Sequence, residues 1–174
     1  PAGRRAAVDS APRPPKFGDR AYWEDYYKGS TDAPVGGKDD AASEFEWFCG
    51  YDMLGPFVHE FLEPVFAEAA RAHSIPRLLV AGCGNSRLGC DLYDDFAGDR
   101  DEEPLLDIWN VDYAPAAVAA SSALAGERRM RHVVGDLLAL PRETFGAGSF
   151  DAVVDKGTLD ALFCAGGAAP ATAA

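Results

Sequence analysis

Apolar residues from position 77 onward fall into four short runs, each followed by a polar or glycine-containing stretch. The runs occupy residues 77–81, 108–112, 132–136 and 150–155. Short continuous apolar runs are typical of strands that are buried on both faces of a parallel sheet. Helical stretches separate the runs, and Pro115 stands where a proline commonly opens a helix. The pattern therefore predicts an α/β fold, a parallel sheet flanked by helices.

A helical stripe precedes the first strand. Apolar residues recur at every fourth position from Phe57 to Ala69, which is the spacing of one helix face. Pro64 lies inside the stripe, and an interior proline removes a backbone hydrogen bond, so we expect a kink or two short helices. After the first strand, Asn85 and Ser86 are suited to cap the next helix.

The two ends of the chain differ in composition from its middle. Residues 1–19, which begin with a stretch rich in proline, alanine and arginine, are predicted to form a flexible tail. Residues 164–174 are a low-complexity tail of small residues, and the domain is predicted to span residues 20–163.

The chain is strongly acidic. It has 174 residues, of which 16 are basic and 28 acidic, and its formal net charge is −12. Because such a protein repels phosphate backbones, we expect no nucleic-acid partner. Residues 91–107 hold eight acids against one base, a net charge of −7. This segment is interpreted either as a solvated surface loop or as a docking surface for a basic partner.

The cysteines and histidines indicate no metal site. The four cysteines have no CxxC spacing, and the three histidines are scattered along the chain. No apolar stretch approaches the roughly 20 residues that a membrane span needs. A few cysteines without the density of a disulfide scaffold suit a reducing compartment, so we expect a cytoplasmic protein.

A glycine turn follows the first predicted strand. Gly82 and Gly84 are positioned to let a ligand approach the backbone and to direct helix N–H groups at it. The place of the third glycine of the dinucleotide fingerprint is taken by Arg87, and no Walker lysine follows. These absences disfavour a nicotinamide-dependent oxidoreductase and exclude a P-loop.

Each later strand also ends in a residue suited to a nucleoside. Asp112 can accept from both hydroxyls of a ribose, and Asp136 can accept from an adenine amino group while the Leu137 amide donates to the ring. Lys156 follows the fourth strand. Ligands of open α/β sheets bind outside the carboxyl ends of the strands, so these residues predict a site for a nucleoside without a pyrophosphate.

The chain resembles a known family in these motifs. They are Ala-Gly-Cys-Gly-Asn-Ser at residues 81–86, Val-Asp-Tyr at 111–113, Gly-Asp-Leu at 135–137 and Asp-Lys-Gly-Thr-Leu-Asp-Ala-Leu at 155–162. With the aromatic residues at 22–27 and 47–48, they are similar to class I S-adenosylmethionine-dependent methyltransferases. The subgroup is the one that modifies translation elongation factor 1-alpha, including its lysine methyltransferases. The resemblance implies a Rossmann-like fold, S-adenosyl-L-methionine as cofactor, and lysine N-methylation of a protein substrate, with elongation factor 1-alpha as the candidate.

The resemblance also implies a set of cofactor-binding residues. Matched motif by motif, they are Trp23, Tyr27, Trp47, Gly82, Asp112, Tyr113, Asp136, Leu137 and Lys156. The aromatic residues would close over the cofactor, because aromatic faces suit a sulfonium cation. Other interpretations stay open: the aromatic residues as core, Lys156 as a surface charge, and Asp136 as a turn cap. Cys83 is interpreted as a packing residue rather than a nucleophile, and no residue is assigned as the general base.

The chain departs from the family after its fourth strand. The family's sheet has further strands, which carry much of the acceptor site, whereas this sequence ends in a tail soon after Leu162. The fold is therefore expected to be truncated after the fourth strand, as in a fragment or an incomplete gene product. The alternative function is a cofactor-binding but inactive module that works through partners.

Overall fold

The computed structural model describes residues 16–29, 46–96 and 105–164. Its helices are α1 (Arg20–Tyr27), α2 (Tyr51–Ala72), α3 (Leu88–Phe96), α4 (Pro115–Ala125) and α5 (Thr158–Cys164). Its strands are β1 (Arg77–Ala81), β2 (Asp107–Asp112), β3 (Arg131–Val134) and β4 (Ala152–Asp155). The predicted α/β class is confirmed. The predicted tails lie almost entirely outside the described residues, as does the middle of the acidic segment 91–107.

The four strands form one parallel sheet in the order β3-β2-β1-β4. The chain winds outward from β1 to β3 and then returns to place β4 on the other side of β1. This reversal makes the carboxyl ends of β1 and β4 the topological switch point, where open α/β sheets bind their ligands. The arrangement is that of a Rossmann-like fold.

A hydrophobic core fixes α2 and α3 on one face of the sheet. Leu62 of α2 and Leu92 of α3 are fully buried, and both pack with Leu78 of β1 and Ile108 of β2. Each such side chain stabilises the fold by about 1.5–3 kcal/mol relative to an exposed position. The core therefore holds β1, and with it the glycine turn at its end, in a fixed place.

Of the two alternatives expected at Pro64, a kink or two short helices, the second is wrong, because α2 runs as one helix through both Pro56 and Pro64. Both prolines lie on the exposed face of the helix. Carbonyl groups that lose an N–H partner there can bond to water instead, which lowers the cost of each proline. The burial of Val58 and Leu62 on the opposite face keeps the helix in place.

The first predicted strand matches β1, and the boundaries of the other three shift by at most two residues. The third strand ends at Val134 rather than at Asp136, since the Asp136 carboxylate accepts from the Leu138 amide at 2.9 Å and begins a turn. The fourth begins at Ala152 rather than at residue 150. The predicted cap is confirmed at Ser86, whose hydroxyl accepts from the Leu88 amide at 3.0 Å.

Candidate functional site

A cavity of about 230 Å³ lies at the switch point of the sheet. All nine residues predicted to bind the cofactor line it: Trp23, Tyr27, Trp47, Gly82, Asp112, Tyr113, Asp136, Leu137 and Lys156. The remaining lining residues are Phe17, Gly18, Arg20, Leu138, Gly157, Thr158, Ala161 and Leu162. The geometric premise of the site prediction therefore holds, while the contact of each residue with a cofactor stays a prediction.

The glycine turn is held by α5 as well as by β1. Gly82 has a φ of +65°, and a Cβ atom there would lie 1.8 Å from Thr158 Oγ1. The Thr158 hydroxyl donates to the carbonyl oxygen of Ala81 at 2.9 Å. The expected reason for this glycine was close approach of a ligand, but the space beside its Cα is occupied by Thr158. Gly82 lines the cavity with its backbone.

Asp112 connects the end of β2 to the glycine turn. Its side chain is buried, and its two carboxylate oxygens accept from the backbone amides of Gly84, at 3.0 Å, and Ala114, at 2.9 Å. Burial raises the pKa of this carboxyl group, and the backbone hydrogen bonds oppose that rise. Each carboxylate oxygen keeps a further lone pair. Asp112 is thus a rigid acceptor at the cavity wall, as binding of two ribose hydroxyls requires.

A second acceptor lies at the turn after β3. Asp136 is fixed by the Leu138 amide, and Arg20 Nη1 lies 3.6 Å from its free oxygen. The Arg20 guanidinium also stands 4.9 Å from the centre of the Tyr113 ring. Within the described residues, none of the backbone hydrogen bonds uses the Leu137 amide. The interpretation of Asp136 as a turn cap is therefore confirmed, and the same carboxylate faces the cavity.

The amino-terminal part of the chain contributes aromatic side chains to the cavity lining. Trp23 stacks on Phe17 and Tyr27 with ring centres 5.9 and 6.1 Å apart, and Trp47 meets Phe17 edge-on at 5.4 Å. The Trp23 indole donates to the carbonyl oxygen of Phe17 at 2.6 Å. Aromatic pairs of this kind each stabilise by about 0.5–1.5 kcal/mol beyond their buried area. The two interpretations of these aromatic residues are thus compatible, because they pack on one another and also line the cavity.

Lys156 is a buried charge, so its interpretation as a surface residue is wrong. Its side chain is 9% exposed and forms an ion pair with Glu46. Burial lowers the pKa of Lys156 to about 8, and the carboxylate beside it acts in the opposite direction. Glu46 also accepts from the Ser86 hydroxyl and, at 2.7 Å, from the Arg87 amide.

Glu46, Thr158 and Arg20 were not predicted from the sequence. Each acts through a partner that is distant along the chain, and no local spacing indicates such a pair. Cys83, by contrast, is buried as expected of a packing residue. Burial and the nearby Asp112 raise the pKa of its thiol to about 12, which does not suit a nucleophile.

The four described acids at the two ends of the acidic segment all have side-chain partners. Asp91, Asp94 and Asp107 form ion pairs with Arg87, Arg128 and Arg131, and Asp95 is in hydrogen-bond contact with His59. The described part of the segment therefore supports a structural role, and its middle lies outside the described residues.

No group of His, Cys, Asp or Glu side chains in residues 16–29, 46–96 and 105–164 is arranged to hold a metal ion. None of the helices in these ranges is long and apolar enough to cross a membrane.

Comparison with known proteins agrees with the resemblance read from the motifs. The chain is 33% identical over 150 residues to the eEF1A lysine and N-terminal methyltransferase homolog of Drosophila melanogaster. It is 34% identical over 142 residues to EEF1A lysine methyltransferase 4 of Bos taurus. It is 31% identical over 149 residues to the human eEF1A lysine and N-terminal methyltransferase.

The matches cover most of this chain but less of its relatives. They include 85%, 81% and 84% of the chain, and 18%, 44% and 17% of the fly, bovine and human proteins. The chain thus spans less than half the length of these curated relatives. No protein-family profile and no solved structure matches it.

Proposed function

We propose that this chain, a Rossmann-like domain related to the eEF1A lysine methyltransferases, is the cofactor-binding part of an S-adenosylmethionine-dependent protein methyltransferase. One observation carries the proposal. The nine residues matched to the family's cofactor contacts come from six separate regions of the sequence, yet all line a single cavity at the switch point. Sheet topology alone brings the strand-end residues together. Trp23, Tyr27 and Trp47 lie outside the strands, and topology does not account for their place in the same cavity.

The polar and aromatic residues of the cavity suit an adenosyl sulfonium ligand. Asp112 is a fixed acceptor for ribose hydroxyls, and the Asp136 carboxylate with the Leu137 amide can read the edge of an adenine. Trp23 and Trp47 line the cavity, and aromatic side chains suit a cation. No pyrophosphate cradle competes with this interpretation, because Arg87 replaces the third glycine of the dinucleotide fingerprint.

We propose lysine N-methylation as the reaction. When bound, the cofactor supplies a methyl group for in-line transfer to an amine nitrogen. The chain's own contribution is to bind and orient the nucleoside through Asp112 and Asp136 and to exclude water with the aromatic residues. The acceptor amine must be neutral to react, and water exclusion favours that form because it penalises the ammonium ion.

The relatives are named for eEF1A, and we propose the same protein as substrate. Elongation factor 1-alpha acts in translation, so we place the reaction in the cytoplasm. The catalytic base is not assigned, since Asp155 accepts from the amides of Gly157 and Leu159 and thereby serves α5.

Titration calorimetry tests the cofactor assignment. We expect the chain to bind S-adenosylhomocysteine and not NAD, because the donor set fits a nucleoside without a pyrophosphate. Binding of NAD alone would replace this proposal with the oxidoreductase interpretation.

A transfer assay with labelled cofactor and elongation factor 1-alpha then tests the reaction. The label should appear on lysine in elongation factor 1-alpha, at a rate that increases with the concentration of this chain. Cofactor binding without any transfer would favour the inactive module instead.

A further inference from the structure

We infer that Glu46 is a positioning residue of the cofactor site, which holds the glycine turn and neutralises Lys156 so that a cationic ligand can enter. The inference rests on the proposed function. Glu46 does not line the cavity itself, so its action passes through the residues that it contacts.

The contacts of Glu46 join three parts of the chain at one carboxylate. It accepts from the Ser86 hydroxyl and the Arg87 amide, which lie between the glycine turn and α3. It also pairs with Lys156, which directly follows β4. Hydrogen bonds to a charged group are stronger than those between neutral groups, and leaving such groups buried without a partner is costly. A side chain with this set of partners fixes the relative positions of the turn, α3 and the end of β4.

Glu46 also helps to hold Trp47, one of the aromatic residues that line the cavity, in place. Trp47 follows it directly, lines the cavity and packs on Phe17 and Trp23. The Lys156 ammonium donates a second hydrogen bond, to the carbonyl oxygen of Cys49 at 3.3 Å. Lys156 thus contacts the chain both before Trp47, at Glu46, and after it, at Cys49. These contacts hold the segment that carries Trp47 beside the end of β4.

The charges of the cavity explain why a carboxylate is needed at this place. Among the described residues, two cations line the cavity, and each is paired with acids: Arg20 with Glu24 and Asp136, and Lys156 with Glu46. An unpaired, largely buried ammonium at Lys156 would repel a sulfonium ion in the same cavity. Paired with Glu46, it presents little net charge, and the aromatic faces can then attract the cation.

A comparison of two ligands isolates this electrostatic role. S-adenosylmethionine carries the sulfonium charge, whereas S-adenosylhomocysteine is the neutral thioether of nearly the same shape. Glu46→Gln keeps an acceptor for Ser86 and Arg87 but removes the negative charge. In titration calorimetry at about pH 6, where Lys156 stays protonated, we expect Glu46→Gln to weaken binding of the sulfonium ligand about two- to tenfold more than that of the thioether.

Two further variants complete the test. In Glu46→Gln/Lys156→Met both charges are absent, and we expect the ratio of the two dissociation constants to return to the wild-type value. Glu63→Gln is the matched control, since Glu63 is an exposed residue of α2 outside the cavity, and it should leave both affinities unchanged. Thermal unfolding of every variant verifies that it folds.

The outcomes separate this inference from the function on which it rests. If wild type binds both ligands but Glu46→Gln weakens them equally, or not at all, the electrostatic role of Glu46 is overturned and the proposed function stands. If wild type binds neither ligand, the proposed function fails, and the inference fails with it.

Discussion

Replacement of Gly82 by alanine is expected to destabilise the fold through two separable effects. The backbone there has a φ of +65°, a conformation that costs an L residue about 1–2 kcal/mol. The new methyl group would also lie 1.8 Å from Thr158 Oγ1 and 2.8 Å from Thr158 Cβ, so α5 must move. Overpacking of this kind costs about 1–3 kcal/mol, which gives a total of about 2–5 kcal/mol.

Gly148 provides the matched control for the backbone effect. Its φ is +75°, and a Cβ atom there would meet nothing within 4 Å. Gly148→Ala should therefore cost only the backbone part, about 1–2 kcal/mol. The free energy of unfolding of each variant can be measured by urea denaturation followed by circular dichroism.

A double variant tests the assigned contact directly. Thr158→Gly removes the side chain that the new methyl group would strike, so Gly82→Ala should cost less in that background than in wild type. Two results would contradict this reasoning: a cost of Gly82→Ala no greater than that of Gly148→Ala, or an equal cost in both backgrounds. Either would show that the contact with the Thr158 side chain is not the reason for a glycine at position 82.

Three further predictions concern single side chains. Asp112→Ala should weaken binding of S-adenosylhomocysteine about ten- to a hundredfold in calorimetry, and an unchanged affinity contradicts the ribose assignment. Binding of the same ligand should change the tryptophan fluorescence of wild type more than that of Trp47→Phe; equal changes would remove Trp47 from the site. Burial lowers the pKa of His132, so the unfolded chain takes up this proton first and stability falls as the pH drops below about 6.5. His132→Gln should lose less stability than wild type between about pH 7 and about pH 5 in parallel urea titrations, and identical losses would show that His132 is not the group involved.

The strands and the site were predictable for a common physical reason. Buried parallel strands need continuous apolar runs, and such runs are visible in a single sequence. Once the strands are known, the topology of α/β sheets brings their carboxyl ends together. Asp112, Asp136 and Lys156 could therefore be assigned to one site without any knowledge of side-chain contacts.

The residues that hold the site in place could not be found in this way. The Lys156–Glu46 pair joins positions 110 residues apart, and the bond from Thr158 to Ala81 joins positions 77 apart. Neither pair has a periodicity or a motif of its own, since each depends on how loops meet after the sheet has formed. The continuity of α2 through Pro64 likewise depends on which face of the helix is solvated, and tertiary packing decides that.

The cavity wall combines segments that are far apart in the sequence, from Phe17 before α1 to Leu162 in α5. Loss of any segment that contributes to the wall would open it, so a ligand bound there recognises the assembled wall rather than an isolated segment. At a concentration a hundredfold above its dissociation constant, such a ligand stabilises the folded state by about 2.7 kcal/mol. A thermal-shift screen of nucleosides therefore detects ligands that bind the folded domain, whether or not a methyl acceptor is present.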